Sequence, residues 1–398
     1  MDCLLIGLGA SDKVLEELRK LTGNNPGYAG HKFGRLVIKG LTQNGIVVKS
    51  LSAIAMNRSM SKKIFWNLSN EEENGICYKY MPFINLPVMH TVGVIVYTFF
   101  YVLFWGFKYR REKFIYTDVI NTGLCVGALL ASRINGLRII GCMTDMPGLM
   151  VESSTNMKEK SIYARISHRI NKNMISKFDA YIFLTQQMNE VINTKNRPYI
   201  IMEGLVDSEI TPDNTNNPTN EVSFFYAGGL HKRYGLGMLV DAFHKLPYDN
   251  CRLVLYGSGP YVDELKEICS KDPRIEYRGL APNEEVVEGE KKATILVNPR
   301  PTNEEFTQYS FPSKNMEYMA SGRPLLTTKL PGMPKEYYDY VFLFEEESTD
   351  GYYKTLDRMI NTQREELDQK GVEAQKWVLK NKNNIVQTKR IIDLVRSI

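Results

Sequence analysis

Three consecutive segments decide the fold: VSFFYAGG (222–229), LGMLVDAFHKL (236–246) and CRLVLYGSGP (251–260). The first and third are short apolar runs that end in glycines, as buried strands do, and the second has apolar residues at helical spacing. The alternation continues, with strands expected at 274–279, 294–300 and 324–328 and helices between them. Short apolar strands that alternate with helices predict a parallel sheet covered by helices on both faces.

The first half of the chain repeats this alternation of strands and helices, with strand-like segments that begin near residues 3, 45, 75, 114, 138 and 180. Between the halves, TPDNTNNPTN (211–220) has two prolines and is otherwise polar, which is typical of a linker. We therefore predict an α/β protein with two doubly wound, Rossmann-like domains that face each other across a cleft. The expected boundaries are 1–210, a linker at 211–221, 222–375, and a C-terminal helix at 376–398 that packs back on the first domain.

Composition excludes several classes of function. The net charge of +5 is too small to indicate nucleic-acid binding, and the six cysteines form no closely spaced pair. Neither a zinc site nor a disulfide framework is therefore predicted. The first residues, MDCLLIGLGA, have no basic region before the apolar run, so we expect a first strand and not a signal peptide.

The segment VMHTVGVIVYTFFYVLFWGF (88–107) is almost wholly apolar and, as a helix, would be roughly 30 Å long, enough to cross a bilayer. Strands of one sheet are predicted on both sides of it, which argues against a spanning helix. A buried crossover helix and a helix in the membrane interface both remain. The adjacent KYRREK (108–113), and the basic residues between Lys158 and Lys172, suit an anionic membrane surface as well as a solvated helix face.

Two glycine motifs are too weak to define a nucleotide site. GLGASD (7–12) begins like a dinucleotide fingerprint but has Asp12 where its third glycine would be, and YGSGP (256–260) is a short turn. YAGGLHKRYG (226–235) is more informative, because Gly228 and Gly229 end a strand and Lys232 and Arg233 follow. Basic side chains at a strand end suit a diphosphate, although a basic surface loop would have the same pattern.

The stretch YSFPSKNMEYMASGRP (309–324) predicts a short helix that can bind an anion. Pro312 suits the first turn, and Ser310 or Ser313 can cap it. The free N–H groups of that turn would point at an anion, and Lys314 adds a positive charge.

Glu317 lies about one turn further along the same helix, which Gly322 is expected to end. A carboxylate is a poor phosphate ligand but a good acceptor for the vicinal diol of a ribose. Together with the basic loop, the pattern indicates a sugar nucleotide. A capped helix with a surface glutamate is the structural alternative.

The second half resembles the nucleotide-sugar domain of GT-B glycosyltransferases, specifically retaining family 4, through FFYAGGLHKRYGLGMLVDAF, LVLYGSGP, ATILVNPRP and SFPSKNMEYMASGRPLLTT. Within that family, SFPSK and EYMASG resemble enzymes that assemble bacterial capsules, exopolysaccharides or O-antigens. The resemblance implies an acceptor-binding first domain and a donor-binding second domain. It also implies metal-independent transfer with no cofactor, in which the leaving diphosphate helps to deprotonate the acceptor.

Two departures from the family pattern concern the donor. Tyr309 stands where the family has a first glutamate that contacts the donor sugar, and Glu304 or Glu305 are other candidates for that contact. Gly229 and Tyr234 stand where the family has an arginine and a lysine, so Lys232 and Arg233 would have to supply the charge, with Lys314 as a further candidate.

The predicted catalytic residues are Asp145, Lys232 and Arg233, with Asp145 as a helix cap in the alternative interpretation. Gly7 and Gly9 are expected to line the cleft. The predicted donor-binding residues are Gly228, Gly229, Tyr309, Ser310, Phe311, Pro312, Ser313, Lys314 and Glu317.

The first functional hypothesis is a cytoplasmic glycosyltransferase, peripheral at the inner face of the cell membrane. It would move a sugar from a nucleotide-sugar donor, with UDP expected, to a lipid-linked oligosaccharide or glycan in bacterial surface polysaccharide synthesis. The alternatives are a nucleotide-sugar epimerase or hydrolase on the same fold, and a non-catalytic partner subunit.

Overall fold

The computed structural model describes residues 1–22, 28–54, 56, 58, 60–73, 76–108, 112–146, 173–211 and 221–398. Residues 212–220 of the predicted linker, residues 109–111 and the basic residues from Lys158 to Lys172 lie outside these ranges. By internal contacts the chain divides into two units, which are described separately. Unit 1 comprises Met1–Leu205 with Asn383–Ile398, and unit 2 comprises Val206–Lys382.

Unit 1 contains an eight-stranded sheet in the order β10-β9-β8-β7-β1-β2-β5-β4, in which only the β4–β5 pair is antiparallel. All six predicted strands of the first half are present. A separate antiparallel pair joins β3 and β6. The strands are β1 (Asp2–Gly7), β2 (Val47–Ser52), β3 (Phe65–Trp66), β4 (Glu71–Glu73), β5 (Ile76–Tyr80), β6 (Phe83–Ile84), β7 (Lys113–Asp118), β8 (Arg138–Met143), β9 (Ala180–Phe183) and β10 (Tyr199–Ile201).

The helices of unit 1 lie on this sheet. They are α1 (Asp12–Thr22), α2 (Tyr28–Gln43), α3 (Pro87–Lys108), α4 (Thr122–Asn135), α5 (Gln186–Ile192) and the C-terminal α12 (Asn384–Arg396). One core joins α1, α2 and α12 to alternate residues of β1, such as Cys3 and Leu5, as expected when the side chains of a strand alternate between faces. Helix α12 approaches α2 closely, since a Cβ on Gly40 would lie 2.2 Å from the Asn384 carbonyl oxygen.

Helix α3 is the predicted apolar segment, and its two faces differ. Val94, Thr98 and Val102 are buried, and α3 packs against α4 so closely that a Cβ on Gly127 would lie 2.5 Å from the Ile95 carbonyl oxygen. The opposite face is solvent-exposed and wholly apolar; this apolar stripe consists of Met89, Val92, Val96, Phe100, Phe104 and Phe107.

Within the described chain, α3 is the helix long and apolar enough to cross a membrane, yet its most apolar window is only 22% buried. The strands β5 and β7 that precede and follow α3 lie in one sheet, as predicted. Because one face of α3 is exposed, α3 is not a fully buried crossover helix.

Unit 2 contains a wholly parallel six-stranded sheet in the order β13-β12-β11-β14-β15-β16. The fold class predicted from the alternation of strands and helices is thereby confirmed. The strands of the unit 2 sheet are β11 (Val222–Gly229), β12 (Cys251–Ser258), β13 (Ile275–Gly279), β14 (Ile295–Asn298), β15 (Leu325–Thr327) and β16 (Phe342–Leu343). The edge strand β16 was not among the predicted elements.

Helices cover both faces of the second sheet. They are α6 (Leu236–His244), α7 (Val262–Lys271), α8 (Asn283–Lys292), α9 (Ser313–Ala320), α10 (Thr349–Asn361) and α11 (Arg364–Asn381). Phe224 of β11 packs into the core on the α6 side, and its neighbour Phe225 packs into the core on the α9 side. The boundary expected at residue 375 falls inside α11, an unbroken helix, and the units divide after Lys382 instead.

Candidate functional site

The carboxyl edge of the unit 2 sheet is built around glycines where strand ends meet. Gly257 has φ +133°, and a Cβ there would lie 1.9 Å from the Gly228 carbonyl oxygen. Gly235 has φ +83°, and a Cβ there would lie 1.7 Å from the Pro299 oxygen beyond β14. The Gly-Ser-Gly turn therefore serves close packing of β12 on β11, and Gly235 fixes the turn 232–234 against the end of β14.

Lys232 and Arg233, predicted to act together, have different partners. Lys232 Nζ lies 2.6 Å from Glu264 Oε2 and 5.4 Å from the centre of the Tyr261 ring, and it is largely exposed. The Arg233 guanidinium lies instead 5.4 Å and 5.7 Å from the ring centres of Tyr234 and Phe306.

Arg300, which the sequence reasoning missed, reaches the same two rings. Its guanidinium carbon lies 5.3 Å from the centre of the Tyr234 ring and 5.4 Å from that of Phe306. Burial lowers the pKa of Arg300, while the hydroxyls of Tyr226 and Tyr234 act in the opposite direction. The sequence did contain a signal, because Arg300 is the last residue of the predicted strand 294–300 and Lys232 and Arg233 also lie close to the end of a predicted strand.

The start of α9 differs in detail from the prediction. Pro312 is the N-cap residue and makes no side-chain cap, and Ser310 Oγ donates 3.0 Å to the Phe306 carbonyl oxygen. The prediction that a serine caps this helix is wrong, because Ser310 closes the preceding turn and the exposed Ser313 is the first helical residue. The Asn315 N–H donates 2.9 Å to the carbonyl oxygen of Pro312, whereas the N–H groups of Ser313 and Lys314 receive no side-chain acceptor from the cap. Phe311 packs on Tyr337 in the core, so it can meet a ligand only through its backbone.

Glu317 and Lys314 form an ion pair within α9, as their spacing allows. Lys314 Nζ lies 2.9 Å from Glu317 Oε2 and 3.3 Å from Oε1 of the buried Glu290. Burial alone would lower the pKa of Lys314, but these two carboxylates outweigh it and raise that pKa. The charge of Lys314 is therefore neutralised within the protein, whereas Glu317 keeps 28% of its side-chain surface exposed. Gly322, with φ +83°, follows the end of α9 as predicted.

Tyr318 ties α9 to the strand that carries the glycines. Its hydroxyl is fully buried and accepts a 3.0 Å hydrogen bond from the Ala227 N–H, directly before Gly228. Tyr309, where the family pattern has a glutamate, ends the 3₁₀ turn Glu305–Gln308 and is partly exposed. Glu304 and the exposed Glu305 lie on that same turn. The predicted donor residues Gly228, Gly229, Tyr309 and Glu317 thus all lie in unit 2.

In unit 1, Gly7 and Asp118 end neighbouring strands. Gly7 has φ +148°, and a Cβ there would lie 2.6 Å from the Asp118 Cβ. Gly9 packs on β2, where Ser52 Oγ donates 2.8 Å to its carbonyl oxygen. Gly7 and Gly9 therefore allow close packing of the turn after β1. Close packing is the alternative explanation for these glycines, which were predicted to line the cleft.

Asp118 and Asp145 are two acidic residues at this edge of the unit 1 sheet. Burial raises the pKa of Asp118 to about 6, a hydrogen bond from the Ile120 N–H lowers it, and the charge of Asp145 raises it further. Burial also raises the pKa of Asp145. Asp145 is one of the catalytic residues predicted from the sequence. Asp118 was missed, although FIYTD ends in this residue and strand-end carboxylates are candidates for function.

His31 on α2 is a further unpredicted group. Its ring is fully buried, Nδ1 accepts 3.1 Å from the Ala10 N–H, and Nε2 has no hydrogen-bond partner. Burial lowers the pKa of His31 to about 4, and the charge of Arg35 adds to this, so the ring is neutral at pH 7. Among the described residues, no group of three His, Cys, Asp or Glu side chains could hold a metal ion.

Sequence comparison matches residues 221–362 to the family model of glycosyl transferases group 1, and this range contains all of residues 222–328, where the resemblance was found. No curated protein matches the chain by sequence. The match makes residues 221–362 similar to that family.

Structural comparison covers the whole chain. Sucrose-phosphate synthase from Thermosynechococcus elongatus matches 100% of this chain and 98% of its own, with TM-score 0.68 and 13% identity. Anabaena HepE in complex with UDP-glucose matches 100% of both chains, with TM-score 0.63 and 12% identity. The lipopolysaccharide outer core galactosyltransferase WaaB matches 100% and 99%, with TM-score 0.59 and 13% identity. At these identities the likeness shows the fold, which is GT-B.

Proposed function

We propose that the protein is a retaining, metal-independent glycosyltransferase. The proposal is supported by the match of residues 221–362 to the family model of glycosyl transferases group 1. The donor is a nucleotide-sugar with UDP as its nucleotide, as suggested by similar folds solved with UDP and UDP-glucose. The acceptor is a lipid-linked oligosaccharide or glycan of bacterial surface polysaccharide synthesis, used at the inner face of the cell membrane.

The observation that carries the donor half is the placement of Glu317. Its partly exposed carboxylate lies one turn inside α9, where the N–H groups of Ser313 and Lys314 have no side-chain cap and can take an anion. Tyr318 on the same helix fixes the end of β11 at Ala227. A ribose that hydrogen-bonds to Glu317 would bring its diphosphate towards the helix start and the glycines of β11. The protein then stabilises the charge of the leaving diphosphate, which itself accepts the acceptor's proton.

The apolar stripe of α3 supports the acceptor half. Phe104 and Phe107 are 67% and 70% exposed, and a shallow apolar groove on this helix is lined by Gly93, Val96, Tyr97, Phe100, Tyr101 and Phe104. Lys79 Nζ lies 4.6 Å from the Tyr101 ring centre, so a cation borders the groove. An apolar helix face with basic neighbours suits the surface of an anionic bilayer, where a lipid-linked acceptor is held.

The donor site is tested by calorimetric titration of UDP, GDP, ADP and dTDP into wild type, Glu317→Gln and Glu288→Gln. Glu288 is the matched control, because it forms the same three-residue helical pair with a lysine, Lys291. We expect UDP to bind to wild type and E288Q alike and roughly tenfold or more weakly to E317Q, since a charge-assisted hydrogen bond is lost. Equal affinity in E317Q would refute the site, and a wild type that binds no nucleoside diphosphate would refute the function.

Membrane contact is tested by sedimentation with phosphatidylglycerol-containing vesicles. Phe100→Ser with Phe104→Ser removes two exposed rings, each worth about 1–2 kcal/mol on transfer from water. Leu280→Ser is the control, because Leu280 is 78% exposed but lies in unit 2. We expect the double variant to bind roughly 30-fold or more weakly and L280S to bind like wild type. Equal sedimentation of all three proteins would contradict the membrane role of α3.

The replacement of the family's first glutamate by Tyr309 is the one observation that favours a non-catalytic partner subunit. Such a protein would bind the donor and never turn it over. An epimerase or hydrolase would turn over the donor without any acceptor. Release of UDP that requires a lipid-linked acceptor distinguishes the proposed transferase from both.

A further inference from the structure

Two guanidinium groups of unit 2 converge on one pair of aromatic rings. The rings of Tyr234 and Phe306 lie 5.9 Å apart, centre to centre, and both Arg233 and Arg300 lie within 5.7 Å of each ring. The attraction of each cation to the rings helps to hold two like charges together. Like charges near each other are unfavourable by themselves, so this arrangement needs a reason.

The reason is not a carboxylate among the residues that the structure describes. Within the described part of unit 2, neither Arg233 nor Arg300 forms an ion pair, whereas Lys232 is paired with Glu264 and Lys314 with Glu317 and Glu290. Arg300 is partly buried and stays protonated despite its lowered pKa, because arginine does not lose its proton near neutral pH. An enclosed cation without a counter-ion is costly, and an anionic ligand would remove that cost.

The backbone places both arginines at the carboxyl edge of the sheet. Arg300 follows β14 by two residues, and β14 pairs with β11, which ends in Gly228 and Gly229. Arg233 lies on the turn that Gly235 packs against Pro299, the residue before Arg300. The Tyr352 hydroxyl donates 2.9 Å to the Pro299 carbonyl oxygen and further fixes this strand end. The two arginines are therefore held by rigid elements and not by a free loop.

We infer that Arg233 and Arg300 form a two-guanidinium clamp for the diphosphate of the nucleotide-sugar, an inference that rests on the proposed function. The clamp supplies the positive charge that the family's arginine and lysine would supply at the positions of Gly229 and Tyr234. One of its two guanidiniums, that of Arg300, follows β14 and does not lie on the loop after β11. Tyr234 orients both guanidiniums with its ring, and each planar fork can bind two phosphate oxygens. Lys232, paired with Glu264, lies outside the clamp.

The test measures affinity for UDP and for uridine by calorimetry in wild type, Arg300→Met, Arg300→Lys and Arg233→Met. Arg358→Met is the control, since Arg358 is half-exposed and paired with Glu345 in the same unit. We expect R300M and R233M each to bind UDP roughly 10- to 100-fold more weakly while uridine binding is unchanged. R300K should recover only part of the loss, because an ammonium cannot bind two oxygens in one plane. R358M should match wild type.

Each outcome decides between the inference and the function. If R300M and R233M keep the wild-type ratio of UDP to uridine affinity, the clamp is refuted and the donor site at Glu317 stands. If wild type binds none of the four nucleoside diphosphates, the proposed function fails and the clamp fails with it. If wild type prefers another base, the same variants are compared on that nucleoside and its diphosphate. Should R300M not fold, R300K and R233M decide the result.

Discussion

Replacing Asp118 by asparagine should stabilise the protein at neutral pH. Asp118 ends β7, is only 8% exposed, and accepts a 3.0 Å hydrogen bond from the Ile120 N–H. Asparagine keeps that acceptor oxygen and the shape of the side chain, but it carries no charge. The substitution therefore removes the cost of a buried carboxylate and little else.

The magnitude follows from the pKa of Asp118, which burial and the charge of Asp145 raise from 3.8 to about 6. A shift of about two pKa units corresponds to about 3 kcal/mol of destabilisation when the group is ionised in both states. Below pH 3.8 the carboxyl is protonated in both folded and unfolded protein, so the cost vanishes. The cost grows as the pH rises from the unfolded pKa of 3.8 to the folded pKa of about 6, because only the unfolded state is ionised there, and it is complete above about pH 7.

The measurement is urea unfolding of wild type and D118N between pH 4 and pH 8. We expect D118N to be more stable by about 2–3 kcal/mol at pH 7.5 and by much less at pH 4. His31 titrates in both proteins, so its contribution cancels in the difference. Asp207→Asn is the control, because Asp207 Oδ1 accepts from the Glu209 N–H in the same kind of turn at a partly exposed position. A difference between wild type and D118N that does not change with pH would refute the reasoning.

Three further substitutions test the packing. Gly127→Ala should cost about 1–3 kcal/mol in urea unfolding by pushing α3 from α4, whereas Gly93→Ala, where the added methyl meets nothing, should not destabilise. Tyr318→Phe should cost about 1–3 kcal/mol and speed hydrogen exchange of the Ala227 amide, which loses its acceptor. Gly235→Ala should cost about 2 kcal/mol or more by thermal unfolding, because of its positive φ. Unchanged stability in any of the three destabilising variants would contradict the packing described.

Much of unit 2 follows from local sequence. The β-α alternation of residues 222–328, the glycine turns and the position of Glu317 on a short helix are all set by residues close together in the chain. Hydrophobic periodicity and glycine conformations act over a few residues, so they can be recognised without the fold. Six of the ten described strands of unit 1 were recognised for the same reason, whereas the short strands β3, β4, β6 and β10 were not predicted.

The partners of the charged residues could not be predicted in this way. Lys232 was expected to bind a ligand, and in the structure Glu264 on α7 pairs with it. Arg300 and Asp118 were missed although both lie at strand ends, because the sequence does not show which side chains from other segments lie beside them. Ion pairing depends on distances between segments far apart in sequence, and these are fixed by the packing of the sheet.

The sequence by itself determined two parallel-sheet units, a second half that resembles the nucleotide-sugar domain of glycosyltransferases, and an apolar helix at 88–107. It could not decide which side of that helix is buried, because an almost wholly apolar segment has no polar face to mark the solvent side. The tertiary structure decided this point. Glycines of α4, such as Gly127, let one face of α3 approach closely, and the remaining face is left as an exposed stripe of phenylalanine, valine and methionine.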